Sequence, residues 1–367
     1  MGIAASSAAC GSNGFAGFHA SSDTVYVGVA VGLSSPERYV NVFKGVQLAL
    51  DQLNESRPEG APPLGMRRAP SDAKSPVDVA AAFRDDPAVV GVVGHTESDP
   101  TITAAPLYDD RSDGGKRALI AISPTAASRE VTLASDWIFR VCPGVDRQAQ
   151  ILAKYMSDSL ELAHVAIVYR NDVAGREFLQ AFVPAMSAGK VIERDPFVEE
   201  IDEFDLYARR LARSKPDGVV VYANSNDVLE ISRALHAAGI NPIIVSTNGP
   251  SAQDLRDTSA ARAFHGLRYL SLYSPAQQLT PASPRFVGAY TREFNAAPDH
   301  WAALSYDAAM LIGRAMQAVG PDRAAIRAWV AKVGHGAPAF DGATGAIAFD
   351  DSRNPVNKPA IVTTVTQ

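Results

Sequence analysis

The feature that most constrains this chain is a series of short, almost wholly apolar segments, each followed by a segment with helical spacing. Residues 25–31, 89–94, 118–122, 165–169, 218–222 and 243–246 have strand length and little polar alternation. A strand that is apolar on both faces must be covered on both, which is the condition of a parallel sheet held between two layers of helix. The intervening segments supply that cover. Residues 41–53 repeat Val42, Val46, Leu50 and Leu53 at helical spacing, and 76–83, 97–108, 147–157, 175–186, 204–213 and 226–238 read as further helices. A short strand is expected near 66–69 and a change of period over 191–196. The pattern predicts an α/β chain built of doubly wound units.

Its 367 residues exceed what one hydrophobic core usually organises, so two lobes are expected. After the second unit, 267–272 reads as a strand leaving it, and 284–294 and 305–319 as helices, with Tyr306-Asp307 at the start of the latter. Residues 346–349 and 360–363 read as two strands paired with each other across a polar turn.

A formal charge of −6 argues against a phosphate-backbone partner, which needs clustered cations that release counterions. Two cysteines, Cys10 and Cys142, support neither a disulfide scaffold nor a four-ligand zinc site. The small residues before Cys10 are like the end of a bacterial lipoprotein signal without an apolar segment ahead of them. Cys10 is therefore open to two readings, a lipid-attachment residue or a plain linker.

The order and spacing of several motifs resemble the type I periplasmic binding-protein superfamily, in its leucine/isoleucine/valine-binding branch. They are Val31-Gly32-Leu33-Ser34, Phe43-Lys44-Gly45-Val46-Gln47-Leu48-Ala49, Gly94-His95-Thr96-Glu97-Ser98, Ser123-Pro124-Thr125-Ala126, Tyr306-Asp307-Ala308 and Phe340-Asp341-Gly342-Ala343-Thr344-Gly345. The resemblance runs over residues 25–363. It implies two Rossmann-like three-layer lobes joined by three crossover strands, each lobe assembled from separate stretches: 24–144 with 270–335, and 145–269 with 336–367. It further implies a small molecule held between the lobes by closure, and a membrane partner that is an ABC permease or a receptor. The protein is then a periplasmic or extracellular monomer, lipid-anchored if Cys10 is the attachment residue, with no cofactor.

Within that frame Ser98, at the first turn of a helix after a buried strand, would hold a ligand carboxylate, or else simply cap the helix. Glu97 and Asp99 beside it could face an ammonium group or solvent. Ser123, Thr125, Ala126 and Ala127 would present backbone and hydroxyl groups; Ala127 stands where the family often has threonine, with Ser128 as a substitute. In the second lobe, Asn171-Asp172-Val173-Ala174-Gly175 resembles the family's strand-to-helix junction, with Ala174 in place of an aromatic wall. Asp172 either caps that helix or meets ligand. Tyr222 is a candidate wall with Asn224 beside it. Asn248 falls where amino-acid binders place a carboxylate against the ligand ammonium, and an amide cannot supply that charge.

A ligand-sensing domain of a signalling system is the alternative to uptake, and an α/β enzyme the more distant one, since fold alone does not choose chemistry. No phosphate-loop pattern follows a strand and no HExxH pair occurs, so no catalytic or metal-binding residue is assigned.

Overall fold

The computed structural model describes residues 24–33, 36–198, 203–249 and 258–366. Cys10 and its lipid-attachment reading lie outside them.

The first half of the chain alternates as expected: β1 (Val25–Val29), α1 (Val40–Glu55), β2 (Leu64–Arg68), α2 (Pro76–Asp85), β3 (Val89–Val93), α3 (Ser98–Tyr108), β4 (Ala121–Ser123), α4 (Glu130–Leu133) and β5 (Ile138–Arg140). These strands form one parallel sheet in the order β2-β1-β3-β4-β5. The second unit follows: α5 (Val145–Lys154), β6 (His164–Arg170), α6 (Val173–Ala185), β7 (Lys190–Phe197), α7 (Asp205–Ser214), β8 (Gly218–Tyr222), α8 (Ser225–Ala237), β9 (Ile243–Ser246), α9 (Thr258–Phe264) and β10 (Arg268–Ser271). The chain then returns to the first unit with α10 (Ala282–Phe294), α11 (His300–Val319) and α12 (Arg323–Ala331). A small antiparallel ladder, β11 (Phe340–Gly342) with β12 (Gly345–Ile347), precedes β13 (Ile361–Thr364). The second sheet runs β13-β10-β9-β8-β6-β7.

The apolar strands are sandwiched as their composition requires. In the first sheet Val27, Val29, Val90, Val93, Ile120 and Ile122 share a core with α1 and α11, while Val89, Val92, Leu119 and Ala121 pack with Phe83 of α2 and Tyr108 of α3 on the opposite face. In the second, Val165, Ile167 and Val220 face Phe178 and Phe182 of α6, while Ala166, Val168, Val219 and Val221 face Leu211 of α7 and Ile231 of α8. Neighbouring residues of one strand thus serve different layers. At Gly45 the helices α1 and α11 approach so closely that a Cβ would collide with the Ala302 carbonyl oxygen.

Three expectations need correction. The segment at 346–349 does not pair with 360–363: β12 pairs with β11, and β13 pairs antiparallel with β10. The two apolar runs pair with different partners: β12 turns back on the strand just before it, while the partner of β13 lies far away in sequence. The Tyr306-Asp307 pair is not at a helix start either, because α11 begins at His300, where Asp299 accepts a hydrogen bond from the Ala302 amide at 2.9 Å. The run at 118–122 is strand only from Ala121, where pairing with β3 and β5 begins.

Asp307 is fully buried in the body of α11 and accepts hydrogen bonds from the amides of Ala343 (2.6 Å) and Thr344 (2.9 Å) and from the Thr344 hydroxyl (2.5 Å). The Lys358 ammonium, also buried, donates to the Thr344 carbonyl at 3.1 Å. Gly342 makes room for this carboxylate, since a Cβ there would stand 2.8 Å from one of its oxygens. The turn of the Phe340–Gly345 motif is thereby pinned to α11.

Candidate functional site

Parallel sheets bind ligands beyond the carboxyl ends of their strands, where backbone donors and helix N-termini converge. Here β3 and β4 of the first sheet and β6, β8 and β9 of the second end with the loops that carry the predicted residues.

On the first lobe Ser98 opens α3, and its hydroxyl oxygen accepts from the Ser128 amide at 3.2 Å, tying the two predicted loops together. Ser123 is fully buried; its hydroxyl donates to the His95 carbonyl (2.6 Å) and accepts from the Ala126 amide (3.0 Å). The Thr125 hydroxyl donates to the Thr96 carbonyl at 2.6 Å. The carbonyls of Ala126, Ala127 and Ser128 are occupied from behind. Cys142 donates its thiol to the first, the Val145 amide (2.9 Å) and the Arg140 guanidinium serve the second, and Arg140 serves the third at 3.0 Å. No hydrogen bond from the Ala127 amide is found among the described residues. These three carbonyls already accept hydrogen bonds while the Ala127 amide beside them donates none among the described residues, so at this point the loop offers a donor, which suits an anion.

On the second lobe Asp172 caps α6, accepting from the Gly175 amide at 2.7 Å, and pairs with Arg170 at 3.2 Å. Burial pushes its carboxyl above the usual range, against the pull of the Gly175 amide and Arg170; Asp99 and Glu97 across the cleft push it further up. Arg170 also faces Glu97 at 3.8 Å, and Glu97 accepts from the Tyr39 hydroxyl at 2.6 Å. The Tyr222 ring lies 4.9 Å from that of Phe178, one turn along α6 from the buried Ala174. Burial, then Asp172, raises its phenol well above the ordinary value. Asn224 caps α8 through the Asp227 amide (3.0 Å), and Asn248 donates to the Ala223 carbonyl at 2.7 Å.

The structure therefore gathers Glu97, Ser98 and Ser128 opposite Asp172. Asp99 is exposed in the first turn of α3. Ser123 and Thr125 bond to the backbone behind the loop, and Asn224 and Asn248 to their own lobe. Sequence reasoning did not single out Tyr39, Arg140, Arg170 or Glu177. Arg140 and Arg170 carried a signal, since each is a cation ending a short apolar strand, where an unpaired charge would be costly. Glu177 and Tyr39 carried none, because their partners are distant in sequence.

A separate groove of about 760 Å³ lies on the outer helical face of the first lobe, between α10, α11 and α12, lined by Arg285, Arg292, Arg314, Tyr306 and Trp329. It is remote from the strand ends and is not the cleft.

Known proteins share this architecture. A branched-chain amino acid transporter substrate-binding protein from Streptococcus pneumoniae, solved with isoleucine, superposes with a TM-score of 0.81 at 22% identity, covering 93% of this chain and 96% of its own. A solute-binding protein of an ABC transporter from R. palustris, solved with benzoate, gives 0.78 at 18% identity, with 94% of each chain covered. In sequence, a Leu/Ile/Val-binding protein homolog of Brucella melitensis is 24% identical over 304 residues, 81% of this chain and 79% of the relative. The periplasmic binding protein family model matches residues 24–367, and the chain belongs to that family of binding proteins.

Proposed function

We propose that the cleft between the two lobes binds a small organic carboxylate, an amino acid or a carboxylate-bearing relative, outside the cytoplasm and delivers it as a monomer to an ABC permease. Binding is coupled to closure of the lobes about the crossings near residues 144, 270 and 335. Attachment to the membrane through a lipid on Cys10 is part of the same proposal. The observation that carries the ligand class is the loop of the first lobe, where the Ala127 amide has no hydrogen-bond acceptor among the described residues, beside the Ser98 hydroxyl and the N-terminus of α3, while the carbonyls of residues 126–128 already accept from within the protein. The names of similar proteins, which include amino-acid binders and a benzoate complex, support the same class.

Calorimetric titration with amino acids, aromatic acids and short amides is the direct test. Ser98→Ala should weaken the best carboxylate ligand about tenfold, the scale of one hydrogen bond to a charged group. Exclusive binding of an uncharged sugar would overturn the assignment.

Specificity should depart from the branched-chain amino acids. Asn248 supplies no charge to an ammonium group, its amide is engaged with Ala223, and Ala174 provides no aromatic wall. Loss of a charged partner costs about 1 kcal/mol or more, roughly fivefold in affinity. Leucine and valine should therefore bind no more tightly than larger amino acids or their own deaminated acids at equal ionic strength. Submicromolar leucine binding, with the other compounds much weaker, would show that another group, Glu97 first among them, has taken over the ammonium.

A further inference from the structure

Glu177 stands in the second turn of α6, on the second lobe, yet the hydrogen bonds of its carboxylate lead to the first lobe. One oxygen accepts from the Ser128 hydroxyl at 2.9 Å and the other from the Arg129 amide at 3.1 Å, with the Arg129 guanidinium 3.8 Å away. Ser128 is fully buried, and its own amide donates to Ser98. A continuous path of hydrogen bonds thus runs from α6 through the loop after β4 to the opening of α3. The Glu177 side chain retains only 13% exposure, so these bonds are shielded from competing water. Arg170 and Glu97 also form an ion pair across the cleft, at 3.8 Å, the same separation as Arg129 from Glu177; what sets Glu177 apart is its two hydrogen bonds to the opposite lobe.

We infer that Glu177 is an interlobe latch that sets the affinity of the cleft: it holds the lobes together before ligand arrives, without itself touching ligand. Separating the lobes must break two charge-assisted hydrogen bonds and return the carboxylate to water, so the latch favours the closed arrangement. A ligand that binds only the closed cleft has an apparent affinity proportional to the closed fraction, and weakening the latch then lowers affinity for every ligand by one common factor. This inference rests on the closure proposed above.

The test uses the full chain with Cys10→Ser, the buried Cys142 retained, and spin labels on cysteines introduced at two exposed positions, Leu133 on the first lobe and Leu206 on the second. In the absence of ligand, Glu177→Gln should raise the long-distance population relative to the short one by about tenfold. Ser128→Ala, which removes a donor from the opposite lobe, should act in the same direction, and the double variant should add little to Glu177→Gln. A distance distribution in Glu177→Gln identical to that of the unsubstituted labelled chain overturns the latch; if that variant does not fold, Ser128→Ala decides on the same criterion. Titrations with benzoate and leucine form the second arm. A common weakening factor supports the latch, and unequal factors make Glu177 a ligand contact instead. If neither compound binds the unsubstituted protein, the ligand class fails while the ligand-free distances still decide the latch.

Discussion

Replacing Asp307 by alanine should remove about 4 kcal/mol of folding stability, within the range for breaking one side of a buried charged network. Three donors converge on its carboxylate, from Ala343, from Thr344 and from the Thr344 hydroxyl, and all would be left without a partner inside the protein. The buried Lys358 ammonium would lose its nearest countercharge as well. Burial already depresses Lys358 to about 8, and Asp307 is what opposes that depression. Asp307 itself is pushed up by burial and held back first by Lys358 and then by its hydrogen-bond donors. Asparagine should cost less than alanine, since its amide oxygen keeps one acceptor while its NH2 faces donors. Urea unfolding should show the midpoint falling with an unchanged slope. A loss below about 1 kcal/mol for alanine would mean that the turn at Ala343 and Thr344 is not pinned by this residue.

The second large effect concerns acid. His95 is 2% exposed, with Nε2 3.0 Å from the Tyr108 hydroxyl, and burial pushes its imidazole down to about 4 from an ordinary 6.5. Between those values the unfolded chain holds a proton that the folded protein does not. The stability gained by keeping this ring neutral is therefore fully present above pH 6.5 and is lost as pH falls toward 4. At 1.36 kcal/mol per pH unit the loss approaches about 3 kcal/mol. Carboxylates titrate in the same window, so the contribution of His95 is read as a difference: stability measured from pH 7 down to 4.5 should fall less steeply in His95→Gln than in the unsubstituted protein. Parallel curves would assign the acid lability elsewhere.

Much of the fold was legible because a strand covered on both faces must be apolar throughout. Val89 to Val93 and Gly218 to Tyr222 could hardly be anything but interior strands, and both are. What failed to announce itself was short or set by remote partners. Strand β5 is three residues long and ends in an arginine, and α12 is nine residues with a tryptophan. The pairing of β13 depends on β10, about ninety residues earlier in the chain, and no local pattern encodes it. In the candidate site, residues that act on their own neighbourhood were readable: Asp172 as a helix cap and Ser98 at a helix opening follow from position. Arg170 and Glu177 gain their meaning from the opposite lobe, so only the folded arrangement reveals them.

The return of α11 to cover α1 and β3, and of β13 to complete the second sheet, has a consequence for how the chain comes into being. The apolar face carrying Val27, Val29, Val90 and Val93 is synthesised long before the helix that shields it. Until about residue 319 has been made, the part of that face that α11 covers can be shielded only by non-native contacts or by another protein. Cooperative folding of this lobe therefore waits on a segment far along the chain, a long-range closure of the kind that slows folding.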